Sequence, residues 1–140
     1  DYEEGSWTPV LKDAASGGNT YSGGGNWTTY ANYTKIGNTV RVHLHAYGLS
    51  NTGMNSAQIF IHGFPFATTT GTITSFVQMQ YFDNFDNTQF GPYVQLNNNS
   101  SVGRLQKMDD NASGNPVFQW NHIKTNGYFG FQFNMIYRPS

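Results

Sequence analysis

Two short stretches of this 140-residue chain hold the residue types that could do chemistry: Tyr81 beside Asp83, Asn84, Asp86 and Asn87, and the run Trp120-Asn121-His122. Sugars present apolar C–H faces and hydroxyl edges. A site for them needs an aromatic platform ringed by groups that serve hydroxyls without a large desolvation cost. These eight residues supply both parts and are the candidate glycan-binding set. Asp83 and Asp86 also have the chemistry of a glycosidase acid/base pair, which requires two carboxylates across a sugar. Against this stands turn chemistry, since Asp and Asn favour turns by bonding their own backbone. The same loop offers oxygens to calcium but lacks the regular spacing of a known calcium loop. His43 and His45 lie two apart, so a strand would set both imidazoles on one face. Three copies around a threefold axis would then offer nitrogens to a transition metal. The plainer reading is a polar, half-exposed strand face shared with Arg41 and Tyr47. No G-x-S-x-G, P-loop, H-E-x-x-H or EF-hand pattern is present. The expectation is therefore a binding protein with no cofactor rather than an enzyme.

The elements that must position these residues are strands. Charged residues make up 11% of the chain and aromatics 16%, with nine Tyr and eleven Phe. β-Branched and aromatic residues joined by Gly and Asn favour strands and tight turns. Val40, Val42, Leu44 and Ala46 alternate with Arg41, His43, His45 and Tyr47. Phe129, Phe131, Phe133 and Met135 alternate in the same way near the C-terminus. Further strands are predicted at 7–11, 27–36, 57–62, 72–82, 93–97, 102–108 and 117–124. Gly37-Asn38 and Asn126-Gly127 read as two-residue hairpin turns. The segment 16–26, with five glycines, reads as a flexible surface loop. No helical period extends over ten residues. The fold class is all-β, an antiparallel β-sandwich or jelly roll formed by one domain spanning 1–140.

The formal net charge is −1, with seven scattered Lys and Arg. Nucleic-acid binding needs concentrated positive charge, so no nucleic-acid partner is expected. So few charges also give little electrostatic protection against self-association. Cysteine is absent, so the fold uses no disulfide. No apolar run approaches the ~20 residues of a membrane span, and no membrane insertion is expected. The chain opens at Asp1 without a Met, which reads as the terminal piece of a longer polypeptide or a processed product.

Three motifs resemble a known family. Glu3-Glu4-Gly5-Ser6-Trp7-Thr8-Pro9-Val10-Leu11 resembles the "EEGTWTPVL" opening of a domain found at the C-terminal end of bacteriophage tail fibres and tailspikes. Tyr33-Thr34-Lys35-Ile36-Gly37-Asn38-Thr39-Val40 resembles its "YTKIGNxV" hairpin. Gly63-Phe64-Pro65-Phe66 is similar to its "GLPF" segment, with Phe64 in place of Leu. The closing strand 131–138 resembles the family's last strand, whereas 82–125 matches no part of the pattern. The resemblance implies a C-terminal β-sandwich of a longer fibre protein, assembled as a homotrimer at the virion tail tip. It implies recognition of a bacterial cell-surface glycan such as polysaccharide or lipopolysaccharide. The alternatives are a structural cap that trimerises the fibre and a polysaccharide-degrading domain. In the cap reading, the Phe129/Phe131/Phe133 face spills over into subunit contacts.

Overall fold

The computed structural model describes residues 1–23, 27–68, 75–78, 81–86, 91–97, 100–107 and 117–136; at 28, 75–78, 81, 125 and 128–136 it describes the backbone alone. The described residues form ten strands: β1 (Tyr2–Ser6), β2 (Val10–Lys12), β3 (Thr28–Ile36), β4 (Thr39–Leu49), β5 (Phe60–His62), β6 (Ser75–Gln78), β7 (Tyr81–Phe85), β8 (Tyr93–Leu96), β9 (Gly103–Gln106) and β10 (Ile123–Ile136). They make two antiparallel five-stranded sheets, in the orders β1-β3-β4-β10-β7 and β2-β5-β9-β8-β6. The expected all-β, sandwich-like architecture is therefore present.

Alternation on β4 builds one side of the core. Val40, Val42, Leu44 and Ala46 are fully buried, while Arg41, His43, His45 and Tyr47 lie on the opposite face. The second sheet answers with Leu11, Ile61, Val94, Leu96 and Leu105. Each such aliphatic side chain contributes about 1.5–3 kcal/mol when removed from water. Phe129, Phe131 and Phe133 pair with Ala46, Leu44 and Val42. Antiparallel partners share a face, so these register positions fall on the core side of the sheet.

The Gly37-Asn38 turn joins β3 to β4 as expected, with positive φ at Gly37. The second expected hairpin is corrected. Asn126-Gly127 lies inside one long strand, β10, where its register against β7 shifts between Ile123 and Tyr128. The left-handed conformation of Asn126 serves a bulge here, which re-aims a strand instead of reversing it. A Cβ at Gly127 would meet Ile123 Cγ2 at 2.7 Å, so the bulge packs tightly. Two other runs also differ from expectation. The predicted strand 72–82 divides into β6 and β7, which belong to different sheets. The predicted strand 117–124 contains a 3₁₀ turn, Trp120–His122.

The three family-like motifs meet in space. The Trp7 indole stacks on Phe64, with ring centroids 4.8 Å apart, and its Nε1 donates to the carbonyl of His43 at 3.2 Å. Phe66 packs edge-on against Tyr33 at 5.5 Å, with Lys35 Nζ over its ring. Pro9 is buried where the chain crosses from edge strand β1 to edge strand β2. Proline suits this point because it lacks an N–H to donate to a ladder. The spacing of these motifs is thus the spacing of one packing cluster that ties the two sheets together.

The start of the glycine-rich segment is tied to the body of the fold through Asp13. Asp13 is buried, and its carboxylate accepts from Asn19 N (2.7 Å), Asn19 Nδ2 (2.8 Å) and Asn55 N (3.0 Å). Burial alone would raise its pKa. The N–H donors outweigh burial and hold the group below its ordinary value. Residues 13–19 thereby close on themselves and dock on the Asn55 turn; residues 24–26 lie outside the described residues.

Candidate functional site

The structure brings part of the sequence-predicted set together at one end of the first sheet. Asp86 N donates to His122 O at 2.7 Å, joining the end of β7 to the 3₁₀ turn. Asp83 is exposed and accepts from Asn84 N at 2.8 Å. Asn84 has positive φ, and its Nδ2 donates to Asn126 O at 3.1 Å, bracing the β10 bulge. Asn121 is exposed. His122 Nδ1 accepts from Gln119 N at 3.1 Å, which leaves the proton of the neutral ring on Nε2. Burial, then the charge of Lys107, holds its pKa below the ordinary value, and Asp86 opposes them in part.

Trp120 corrects the expectation. Its side chain is fully buried, its ring lies 5.2 Å from Tyr21, and its Nε1 donates to Lys12 O at 3.1 Å. A ring enclosed in this way offers no face to a ligand. Tyr81 lies on β7 opposite Gly130, but its side chain is outside the described residues, as is Asn87. Among the described side chains, the cluster therefore keeps its polar groups and loses Trp120 as a platform.

A different surface combines both features. The β3–β4 register places Tyr30 opposite His45, Asn32 opposite His43 and Thr34 opposite Arg41. All six lie on the face of the first sheet turned away from the core. Tyr30, His45 and Tyr47 form a triangular aromatic cluster, with centroids 6.3 Å (Tyr30–His45), 6.2 Å (Tyr30–Tyr47) and 5.2 Å (His45–Tyr47) apart. Tyr30 is 58% exposed. A hydrogen bond with the Tyr47 hydroxyl, then that group's charge and burial, raises the Tyr30 pKa. Burial, then the nearby His43, lowers that of His45.

Beside this cluster lies an open hollow of about 430 Å³ lined by Asn32, Thr34, Arg41 and His43. A second, of about 400 Å³, is lined by Thr34, Ile36, Thr39 and Arg41. The two share Thr34 and Arg41 as lining residues and lie side by side along the strands, together referred to below as the trough. His43 Nδ1 is covered and has no hydrogen-bond partner. Aromatic faces for C–H surfaces, with amide, hydroxyl and guanidinium groups beside them, suit an oligosaccharide.

Sequence reasoning identified Arg41, His43, His45 and Tyr47 as a shared face but did not join Tyr30, Asn32 and Thr34 to it. The signal was present in the two-residue turn, whose length fixes which β3 residue faces which β4 residue. Among the described residues no three His, Cys, Asp or Glu side chains group as metal ligands would. No described helix is long and apolar enough to cross a membrane. No family model matches the chain, and no curated protein matches it.

Proposed function

We propose that this chain is a non-catalytic receptor-binding module at the distal end of a phage tail fibre or tailspike, recognising a glycan of the bacterial surface. The observation that carries this reading is the Tyr30/His45/Tyr47 cluster, with Tyr30 exposed and the other two half-buried, beside a trough lined by polar side chains. The meeting of Trp7, Phe64, Tyr33 and Phe66 adds support, because it gives the family-like motifs a common structural purpose. Jelly-roll connectivity and assembly as a homotrimer belong to the same proposal. Binding per site is weak, and three linked copies raise avidity without new contacts.

Adsorption of the isolated domain to host cells or a glycan array tests the reading. Tyr30→Ala and Tyr47→Ala should each lower binding by about tenfold, the effect of losing an aromatic contact worth about 1–1.5 kcal/mol. Unchanged binding in both variants would remove the platform from the account. The exposed side chains of Tyr2, Tyr30 and Ile36 on the outer face favour a second reading, a trimerisation cap whose copies pack there. Deleting the domain separates the two: a cap leaves the upstream fibre misassembled, whereas a receptor binder leaves it assembled and unable to adsorb.

A further inference from the structure

The two hollows of the trough are lined by different kinds of atom. The one bounded by Asn32, Thr34, Arg41 and His43 presents mostly nitrogen and oxygen, whereas the one bounded by Thr34, Ile36, Thr39 and Arg41 presents mostly carbon. Ile36 is the hydrophobic residue of the second lining; it ends β3 and is 63% exposed. It pairs with Thr39 on one side and with Tyr2, on the edge strand, on the other. Facing residues on neighbouring strands have Cβ atoms about 4.5–5.5 Å apart, so Tyr2, Ile36 and Thr39 lie in line across three strands. The exposed Tyr2 gives its hydroxyl proton to Glu4 Oε2 at 2.8 Å. With that hydroxyl engaged, the Tyr2 ring adds apolar surface beside Ile36. Polar residues interrupt this surface at once, since the next outward pair along β1 and β3 is Glu4 opposite Thr34. An apolar spot so confined fits a single small group better than the broad apolar centre of a subunit contact. The aromatic cluster stands at the other end of the trough. Six residues of strand separate Ile36 from Tyr30, about 20 Å at ~3.3 Å per residue.

Resting on the glycan-binding reading, we propose that the carbon-lined hollow seats a methyl group of the bound glycan, so that the trough selects methyl-bearing sugars, either 6-deoxyhexoses or acetylated amino sugars. An ordinary hexose carries a hydroxymethyl group instead. Its hydroxyl would give up water against Ile36 and find fewer partners there, which is unfavourable. A methyl group has no such hydroxyl to desolvate, and it removes carbon from water against carbon. The hydroxyls of the same sugar then meet Asn32 and Thr34 in the adjoining hollow. Ile36 is thus the specificity-determining residue. The aromatic cluster supplies affinity without telling the two kinds of sugar apart.

The test compares sugars that differ at that group alone: L-rhamnose with L-mannose, L-fucose with L-galactose, and N-acetyl- with N-formyl-D-glucosamine. Binding to the intact chain is read from amide and methyl chemical shifts, and oligomeric mass from light scattering. At least one methyl-bearing sugar should bind about fourfold more tightly than its counterpart, the gain from one buried methyl group. It should also shift the Ile36 methyl resonances. The pair that shows the preference separates deoxy sugars from acetylated ones. Ile36→Thr keeps the β-branch that suits a strand and should abolish the preference, whereas Ile36→Val should keep most of it. Tyr30→Ala should weaken both members of a pair alike. Equal binding within all three pairs overturns the proposal and leaves glycan recognition standing, as does a preference that survives Ile36→Thr. If none of the six sugars binds, the proposal falls, and adsorption to host cells decides the glycan reading separately. A lower oligomeric mass in Ile36→Thr, with no sugar preference in the parent chain, overturns it and assigns the spot to contacts between copies.

Discussion

Replacing Trp120 by alanine separates a core residue from a ligand platform. The indole is fully buried, lies against Tyr21, and donates from Nε1 to Lys12 O. Removing it opens a cavity between the 3₁₀ turn and the first loop, at a cost of about 3–5 kcal/mol. A domain of this size has about 5–15 kcal/mol in total, so the variant sits near the edge of folding. Trp120→Phe is the safer companion. It keeps a ring, loses some volume and removes the indole donor to the Lys12 carbonyl, for a loss of about 2–3 kcal/mol. At a urea slope of ~2 kcal/mol per molar, the midpoint should fall by about 1–1.5 M for Trp120→Phe. Glycan binding by the folded fraction should be unchanged. A midpoint shift under about 0.3 M, or loss of binding at full stability, would refute the assignment of Trp120 to the core.

Asp13→Ala removes the acceptor of three N–H donors. Urea unfolding should show a loss of about 2–4 kcal/mol, and limited proteolysis should now cut between residues 13 and 20. Asp13 titrates below its ordinary value when folded, so its contribution is complete above the ordinary carboxylate range and is lost as pH falls through the lowered value. His122 and His45 are also lowered, in both cases chiefly by burial. The unfolded chain therefore binds more protons than the folded one once pH drops below about 6.5. The urea midpoint should be level from pH 8 to 7 and decline toward pH 5, with a shallower decline in His122→Gln. Gly63 has φ +87 and its missing Cβ faces Thr8 O, so Gly63→Ala should cost about 1–3 kcal/mol and lower the thermal midpoint.

The strands that could be read from the sequence are those in which local pattern and tertiary burial agree. On β4, four buried aliphatics alternate with four polar or aromatic residues, and the Gly37-Asn38 turn closes the hairpin. Asn126-Gly127 has the same local signature as a hairpin turn, because a left-handed Asn serves a turn and a bulge alike. Only the partners in β7 and β4 decide between them. In the run 72–82, Ile73, Val77, Met79 and Tyr81 alternate with Phe76, Gln78 and Gln80, and nothing local marks the point where β6 and β7 part to different sheets. Trp120 failed for a related reason. Beside Asn121 and His122 it looks like a sugar platform, yet its burial is set by Tyr21 and Lys12, the latter 108 positions away. The trough was half legible: β4 announced its own share, and the hairpin register that adds Tyr30, Asn32 and Thr34 required counting across the turn.

The most direct measurement is residue-resolved amide chemical-shift mapping of the labelled chain during titration with oligosaccharides cleaved from the surface glycan of a susceptible host. The largest shifts should fall on Tyr30, Asn32, Thr34, Arg41, His43 and His45, with little change at Asp83, Asn84, Asp86, Asn121 and His122. Shifts confined to the second group, or none at saturating sugar, would contradict it.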